Sequence, residues 1–440
     1  MSASLLDLPN ELLHIICQDL DDDGLLHLAS TCRRINLLAI PLVFSRCDYE
    51  LPTSSIPSIH LTSGNIRLLQ ALSIASFVTS IDVLDFSMIH SPTPEILDAI
   101  RALHALVTRL AHLGHVRLLV SDLYAQKTPQ NTEKLRPWPH VMAAMLNTAA
   151  QRGDCAITIY GGTYAYFSDP RPFRHVVAPV AAPPTKPPQP TSLAQTLAQT
   201  LRAVFGRLFR PAAAAGCPPL LPRPPLIQSH ANPSPLALPP AARPRLTTLN
   251  IHSSLLLHAT FYPWTLHTLN SAPLTTLSLD NIDLLHYDWA LLLPALTLPA
   301  LTSLAVLRTA IAVPDLTAFL ARHPALRALD LSFHAALGPL VPYAPPHLLP
   351  KLISIHGPPD CLLYFLAAGD AVYPDLRVVG IRSHAVSGYD LAQFDQLVAC
   401  LRLRRVVPRV DLEGRLAARC QLPAGVGGDA GPGEEHDAEF

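Results

Sequence analysis

Six segments between Pro244 and Ile381 repeat one short phrase: PRLTTLNI, PLTTLSL, PALTSLAV, PALRALDL, PKLISIHG and PDLRVVGI. Their leading leucines are Leu246, Leu274, Leu301, Leu326, Leu352 and Leu376, spaced 28, 27, 25, 26 and 24 residues apart. Five have proline two positions earlier (Pro244, Pro299, Pro324, Pro350 and Pro374), and the sixth has Pro273 one position earlier. A leucine-rich chain gives an occasional L-x-x-L-x-L by chance, but not six in order at near-constant spacing with a fixed proline. One such unit cannot bury its own apolar edge, so neighbours must stack.

Within each unit the proline ends the preceding segment and biases the residue before it toward extended geometry. The Φ-x-Φ that follows is a short half-buried strand with alternate side chains turned inward. The rest of the unit returns as helix or loop, as in DLTAFLARHP and GPPDCLLYFLAAGDAVYP. Stacking then lays the strands about 4.8 Å apart in a curved parallel sheet. Weaker strands precede this region: VTSIDVLDF around Ile81, VRLLV at 116–120 and AITIY at 156–160. Helical stretches at 94–113 and 138–153 separate them, and VVPRVDL at 406–412 reads as a last strand.

Between Ser168 and Arg245 lie 19 of the 45 prolines, which can neither propagate a helix nor pair in a central strand. Residues 168–244 therefore read as a disordered, low-complexity insertion rich in proline and alanine. Inside it, at about 192–210, TSLAQTLAQTLRAVFGRLFR is an amphipathic helix with three arginines toward its end. It suits packing on the body, a partner groove or a membrane surface. Residues 422–440 are Gly-rich and acidic, a disordered tail.

The first residues, LPNELLHIICQDLDDDGLLHLASTCRRINLLAIPLVF, read as three short helices. Pro9 and Glu11 suit an opening turn, Asp21 to Asp23 end the first helix and cap the second, and the third closes near Pro41. The first helix carries leucine and isoleucine around most of its circumference, where a surface helix normally shows one apolar stripe. So small a bundle cannot hide that much apolar surface. Part of it needs an external cover.

These residues resemble two families. The repeats from Arg245 to about Gly414 resemble a leucine-rich repeat solenoid. That family's usual asparagine, three positions past the strand, is replaced here by Ser254, Ile282, Thr309, His334 and His384, so a less regular interior hydrogen-bond ladder is expected. The N-terminal segment resembles the F-box: LP at Leu8-Pro9, then Glu11, Leu12, Ile15, Leu25, Leu28 and Cys32-Arg33 follow its pattern, without the third-helix tryptophan many members have. The combined expectation is an α/β chain: an F-box at 1–50, long N-terminal repeats at 51–167, the insertion, C-terminal repeats at 245–421, and the tail.

The F-box resemblance implies docking on a Skp-family adaptor, and through it a cullin, by way of Leu8, Pro9, Leu12, Ile15, Leu25 and Leu28. On the solenoid the x positions of Φ-x-Φ-x stand on the concave face. They form a column of Asn250, Ser278, Ala305, Asp330, His356 and Gly380, flanked by His252, Asp280, Leu307, Ser332 and Arg382. Of these, Asn250, His252, Asp280, Asp330, His356 and Arg382 are the candidate contacts for an unknown target protein. The resemblance implies the substrate-receptor subunit of an SCF-type ubiquitin ligase. The alternative is a scaffold that binds the adaptor without promoting ubiquitination.

Composition narrows the other classes. Thirty-two basic and 33 acidic side chains leave a charge of −1, with no excess to neutralise a nucleic-acid backbone. WALLLPALTLPALTSLAVL at 289–307 has the length of a membrane span, but Pro294 and Pro299 interrupt it and its second half is a repeat. The eight cysteines contain no C-x-x-C, which suits reduced thiols in cytoplasm or nucleus. No nucleophile elbow, P-loop or metal-spaced His/Cys set is present, and GVGGDA near the C-terminus lacks the strand and helix a dinucleotide site requires. No cofactor and no catalysis by this chain are expected.

Overall fold

In the computed structural model the described residues are 5–50, 54–88, 93–120, 137–152, 155–161, 244–257, 261–333, 344–345, 348–367, 373–382, 391–402 and 409–412. All belong to one compact unit, 1–170 with 238–440. The 192–210 helix, the tail at 422–440, His334 and His384 lie outside the described residues.

Eleven parallel strands form one open sheet in which every strand lies beside its sequence neighbours. They are β1 Ser55–Thr62, β2 Ser80–Met88, β3 His112–Val120, β4 Ala156–Gly161, β5 Thr248–His252, β6 Thr276–Asp280, β7 Ser303–Thr309, β8 Ala328–Phe333, β9 Ser354–Gly357, β10 Val378–Ile381 and β11 Arg409–Leu412. The three N-terminal helices are α1 Asn10–Asp19, α2 Asp22–Ala29 and α3 Arg33–Arg46. The returning helices are α4 Ile66–Ile74, α5 Thr93–Arg109, α6 Trp138–Gln151, α7 Tyr262–Ser271, α8 His286–Ala295, α9 Val313–Ala321, α10 Pro359–Leu366 and α11 Leu391–Arg402.

The repeated phrase acts through its backbone. The N–H groups of Leu301, Leu326, Leu352 and Leu376 each donate three residues back, to Leu298, His323, Leu349 and Tyr373, at 3.1, 3.2, 3.1 and 3.4 Å. Pro299, Pro324, Pro350 and Pro374 thus occupy the second position of a β-turn, where their fixed φ is already correct. The turn drops each leucine into the core, 3% exposed or less, and hands the chain to the sheet. Thr302, Arg327, Ile353 and Arg377 then donate to the preceding strand's entry carbonyl at 2.7–2.9 Å. Inward residues such as Leu249, Leu277, Leu304, Leu329, Ile355 and Val379 follow at 0–1% exposure. The replaced asparagine leaves no ladder among the described residues: Ile282 is apolar core and Thr309 Oγ1 is buried without a hydrogen bond.

Three sequence expectations shift. The third helix runs through Pro41 to Arg46 rather than closing near it. Pro41 frees only the carbonyl of Leu37, which stands on the exposed side of α3 where water can reach it. The helix expected over 94–113 ends at Arg109, because Ala111 N–H pairs with Thr79 O at 2.8 Å and strand pairing claims the chain from there. Finally, β1 and α4 had no marked signal, since SIPSIHLT carries a proline that only an edge strand tolerates, and β1 is the edge.

The bundle is joined to the first repeat by polar groups. Asn36, only 4% exposed, donates to Ala29 O at 3.1 Å and Ile74 O at 2.9 Å, and accepts from Ser76 N at 2.9 Å and Ser76 Oγ at 3.0 Å. Asp22, at the start of α2, pairs with Arg46 of α3 and Arg67 of α4, which hold its carboxyl below the usual range. No helix among the described residues is long and apolar enough to cross a membrane. The uncharged stretch at 289–307 is divided between α8, a turn and β7.

Candidate interaction surfaces

On α1 the inner stripe is Leu13 and Cys17, each 1% exposed, one helical turn apart. Leu8, Leu12 and Ile15 follow the i, i+4, i+7 spacing of a second stripe on a different side. Leu8 is half-buried, while Leu12 and Ile15 are 47% and 54% exposed. Pro9 beside them is exposed. α3 runs alongside in the same direction: Arg34 donates to Leu8 O and Asn10 Oδ1 at one end of α1, and Arg46 to Gln18 O and Leu20 O at the other. On α3, Leu37 is 46% exposed. Of the six expected contact residues, Leu8, Pro9, Leu12 and Ile15 thus gather on or beside one face. Leu28 is half-buried on α2. Leu25 differs: at 0% exposure it fills the bundle core and has no surface to offer.

On the solvent face of the sheet, the column expected from the x positions is one register row. Asn250, Ser278, Ala305, Asp330, His356 and Gly380 pair in sequence across β5 to β10. The row continues back through Thr158, Arg117, Asp85 and His60 to β1. Its members interlock. Thr158 Oγ1, almost fully buried, accepts from Asn250 Nδ2 at 2.9 Å and lies 2.8 Å from His115 Nε2. Arg382 crosses two strands to reach Asp330 at 2.8 Å. The His356 ring leans into the space over Gly380, where an added Cβ would lie 2.0 Å from Nδ1.

One end of this face carries a denser cluster. Asp280, 7% exposed at its side chain, receives Arg308 Nε at 2.8 Å and Nη2 at 2.7 Å, and His252 Nδ1 at 2.9 Å. Burial raises the Asp280 carboxyl, but these hydrogen bonds outweigh it and hold it at about 2. An ionised carboxylate only accepts, so His252 Nδ1 carries the proton. The Tyr160 ring tilts against His252 with centroids 4.7 Å apart. Arg308 reaches the site from a bulge in β7, where the register shifts between Leu307 and Thr309 and its φ is +47°. That left-handed backbone is strained for arginine, and the two bonds to Asp280 offset the cost. Asp280 is therefore the anchor beneath the cluster rather than a contact itself.

Sequence reasoning missed Tyr160, Leu119 and Arg308 here. The first two were open to it, since they sit at outward positions of recognised strands. Arg308 was not, because only the bulge turns it to the solvent face. Among the described residues no group of three or more histidines, cysteines and carboxylates is placed to hold a metal ion. Cys17, Cys32, Cys47 and Cys155 are free thiols, and burial pushes the Cys155 thiol up to about 12. No protein-family model matches this chain, and no curated protein matches it significantly.

Proposed function

We propose that this protein is the substrate-receptor subunit of an SCF-type ubiquitin ligase. Its N-terminal bundle is read as an F-box docking a Skp-family adaptor, and its sheet as a leucine-rich repeat solenoid holding a target protein. The observation that carries the reading is the second stripe of α1. A helix whose core side is already filled by Leu13 and Cys17 leaves Leu12 and Ile15 about half exposed. Leu12 and Ile15 are both among the residues that carry the F-box resemblance. A bare apolar stripe of this kind on a small bundle is a partner surface. The solvent face of eleven strands, lined with polar side chains in register, suits a second partner. In this role the chain performs no bond chemistry. It raises the effective concentration of the target at the transfer site supplied by other subunits.

The test is co-expression of the full chain with a Skp-family adaptor, read by co-elution. The wild type should co-elute and Leu12→Asp/Ile15→Asp should not, with unchanged circular dichroism. A folded wild type that does not bind overturns the proposal. Adaptor binding without cullin recruitment would mark a scaffold instead.

A further inference from the structure

The solvent face of the sheet carries three carboxylate–arginine pairs, and in each the arginine is the more exposed partner. Arg117 is 45% exposed against 27% for Asp85, Arg308 53% against 7% for Asp280, and Arg382 34% against 23% for Asp330. A ligand approaching this face meets guanidinium groups whose counter-charges lie beneath them. His60, His115, His252 and His356 share the face and add no negative charge. At each of these pairs the group presented to an anionic visitor is the guanidinium.

The Arg308 pair is joined to an apolar seat by a run of ring and hydrogen-bond contacts. Leu119 and Tyr160 are register partners on β3 and β4, 39% and 37% exposed, among the few large apolar side chains left in solvent. Tyr160 lies against His252, His252 against Asp280, and Asp280 under Arg308, so the seat and the cation belong to one continuous surface. Arg308 uses Nε and one Nη2 bond on Asp280. A guanidinium has five N–H donors, so three remain for a ligand.

We propose that this end of the sheet binds an acidic peptide segment, seating an apolar side chain on Leu119 and Tyr160 and a carboxylate on Arg308. The spacing follows from the strands. Arg308 reaches back to β6, two strands from Tyr160 on β4, a separation of about 10 Å at ~4.8 Å per strand. A peptide in polyproline II geometry lying across the strands advances ~3.1 Å per residue with three residues per turn, so side chains three positions apart share one face about 9 Å apart. The motif is Φ-x-x-Asp or Φ-x-x-Glu. His252 in the middle offers Nε2 to the intervening backbone, because Nδ1 is held by Asp280. This rests on the receptor reading only in that the peptide would belong to the target; the binding itself needs no adaptor.

The test uses a displayed library of random dodecapeptides, selected on the full-length chain in the absence of any adaptor. The expected result is enrichment of an apolar residue three positions before Asp or Glu. A synthetic peptide of that sequence should bind about tenfold more weakly to Arg308→Ala, as loss of a charge-assisted contact implies. Replacing the peptide's own Glu by Gln should weaken binding to the wild type equally, and should cost nothing further in Arg308→Ala. Leu119→Ala should relax the apolar preference and leave the acidic one intact. Selection of no peptides, of peptides without the acidic position, or of peptides indifferent to both substitutions overturns the proposal. The Glu→Gln arm works on the wild type, so it stands even where Arg308→Ala fails to fold. Failure here with adaptor binding intact would sink the peptide site alone; the reverse would sink the receptor reading alone.

Discussion

Leu12 and Leu13 are adjacent on α1, and truncating them should have opposite consequences. Leu13 is 1% exposed, so Leu13→Ala removes core atoms and should lower folding stability by about 2–5 kcal/mol. Leu12 is 47% exposed and Ile15 54%, so roughly half of each side chain remains to be covered by a partner. Full burial of such a side chain contributes about 1.5–3 kcal/mol, so half-burial of two gives roughly 2 kcal/mol in total. At about 1.4 kcal/mol per tenfold, Leu12→Ala/Ile15→Ala should weaken adaptor binding by roughly 30-fold. Folding stability should move by no more than about 0.5 kcal/mol, as at other exposed positions. Titration calorimetry against the adaptor gives the first quantity and guanidinium denaturation the second. If the double variant loses as much stability as Leu13→Ala, the stripe is internal core. If its affinity for the adaptor matches the wild type, the stripe faces something else.

Asn36→Leu strands the carbonyls of Ala29 and Ile74, while exposed Ser76 can turn to water; a loss of about 2–3 kcal/mol is expected by chemical denaturation. Early protease cleavage between the bundle and α4 should accompany it. The Asp280 carboxyl, held at about 2 against 3.8 when unfolded, adds stability that is fully present above pH 3.8 and fades as pH falls toward 2. That contribution is on the order of 2 kcal/mol, so Asp280→Asn should be less stable at neutral pH and flatten the curve between about pH 4 and 2. A parallel curve would refute the assignment. Gly380→Ala forces the His356 ring off its site at a cost of about 0.5–1.5 kcal/mol, visible as a shift of its imidazole resonances; unshifted resonances would contradict the packing.

What the sequence made legible follows a physical line. The strand faces β5 to β10, the leading leucines and the column from Asn250 to Gly380 were readable, because each depends on period-two alternation and a fixed repeat. The proline's restriction of φ is plain in the sequence, whereas its task, the second position of a turn, depends on the leucine N–H that closes it. Asp280 points outward as its strand position implies, but it is covered by Arg308, whose direction depends on a bulge that no local pattern encodes. Leu25 matched the motif and fell in the core, since a motif records which residues recur and not which of two apolar surfaces each one serves.

The least legible feature is also the most regular. Arg46, Arg109, Arg152 and Arg322 lie at or just past the ends of α3, α5, α6 and α9, and each donates to carbonyls at the end of a neighbouring helix. Arg46 takes Gln18 O and Leu20 O at α1; Arg109 takes Leu72 O, Ser73 O and Val78 O at α4. Arg152 takes Thr108 O at α5, and Arg322 takes Leu293 O and Leu296 O at α8. A sheet whose strands are all parallel brings its returning helices back in one direction, with their C-termini side by side. Each end leaves unpaired carbonyls and about half a negative charge beside another of the same sign. A guanidinium at that point supplies several donors and a positive charge together. The spacing of these arginines is irregular because helix lengths vary, so no period marks them in the sequence. The need for them comes from the topology, and it reaches from the sheet into the N-terminal bundle, where Arg46 does for α1 what Arg109 does for α4.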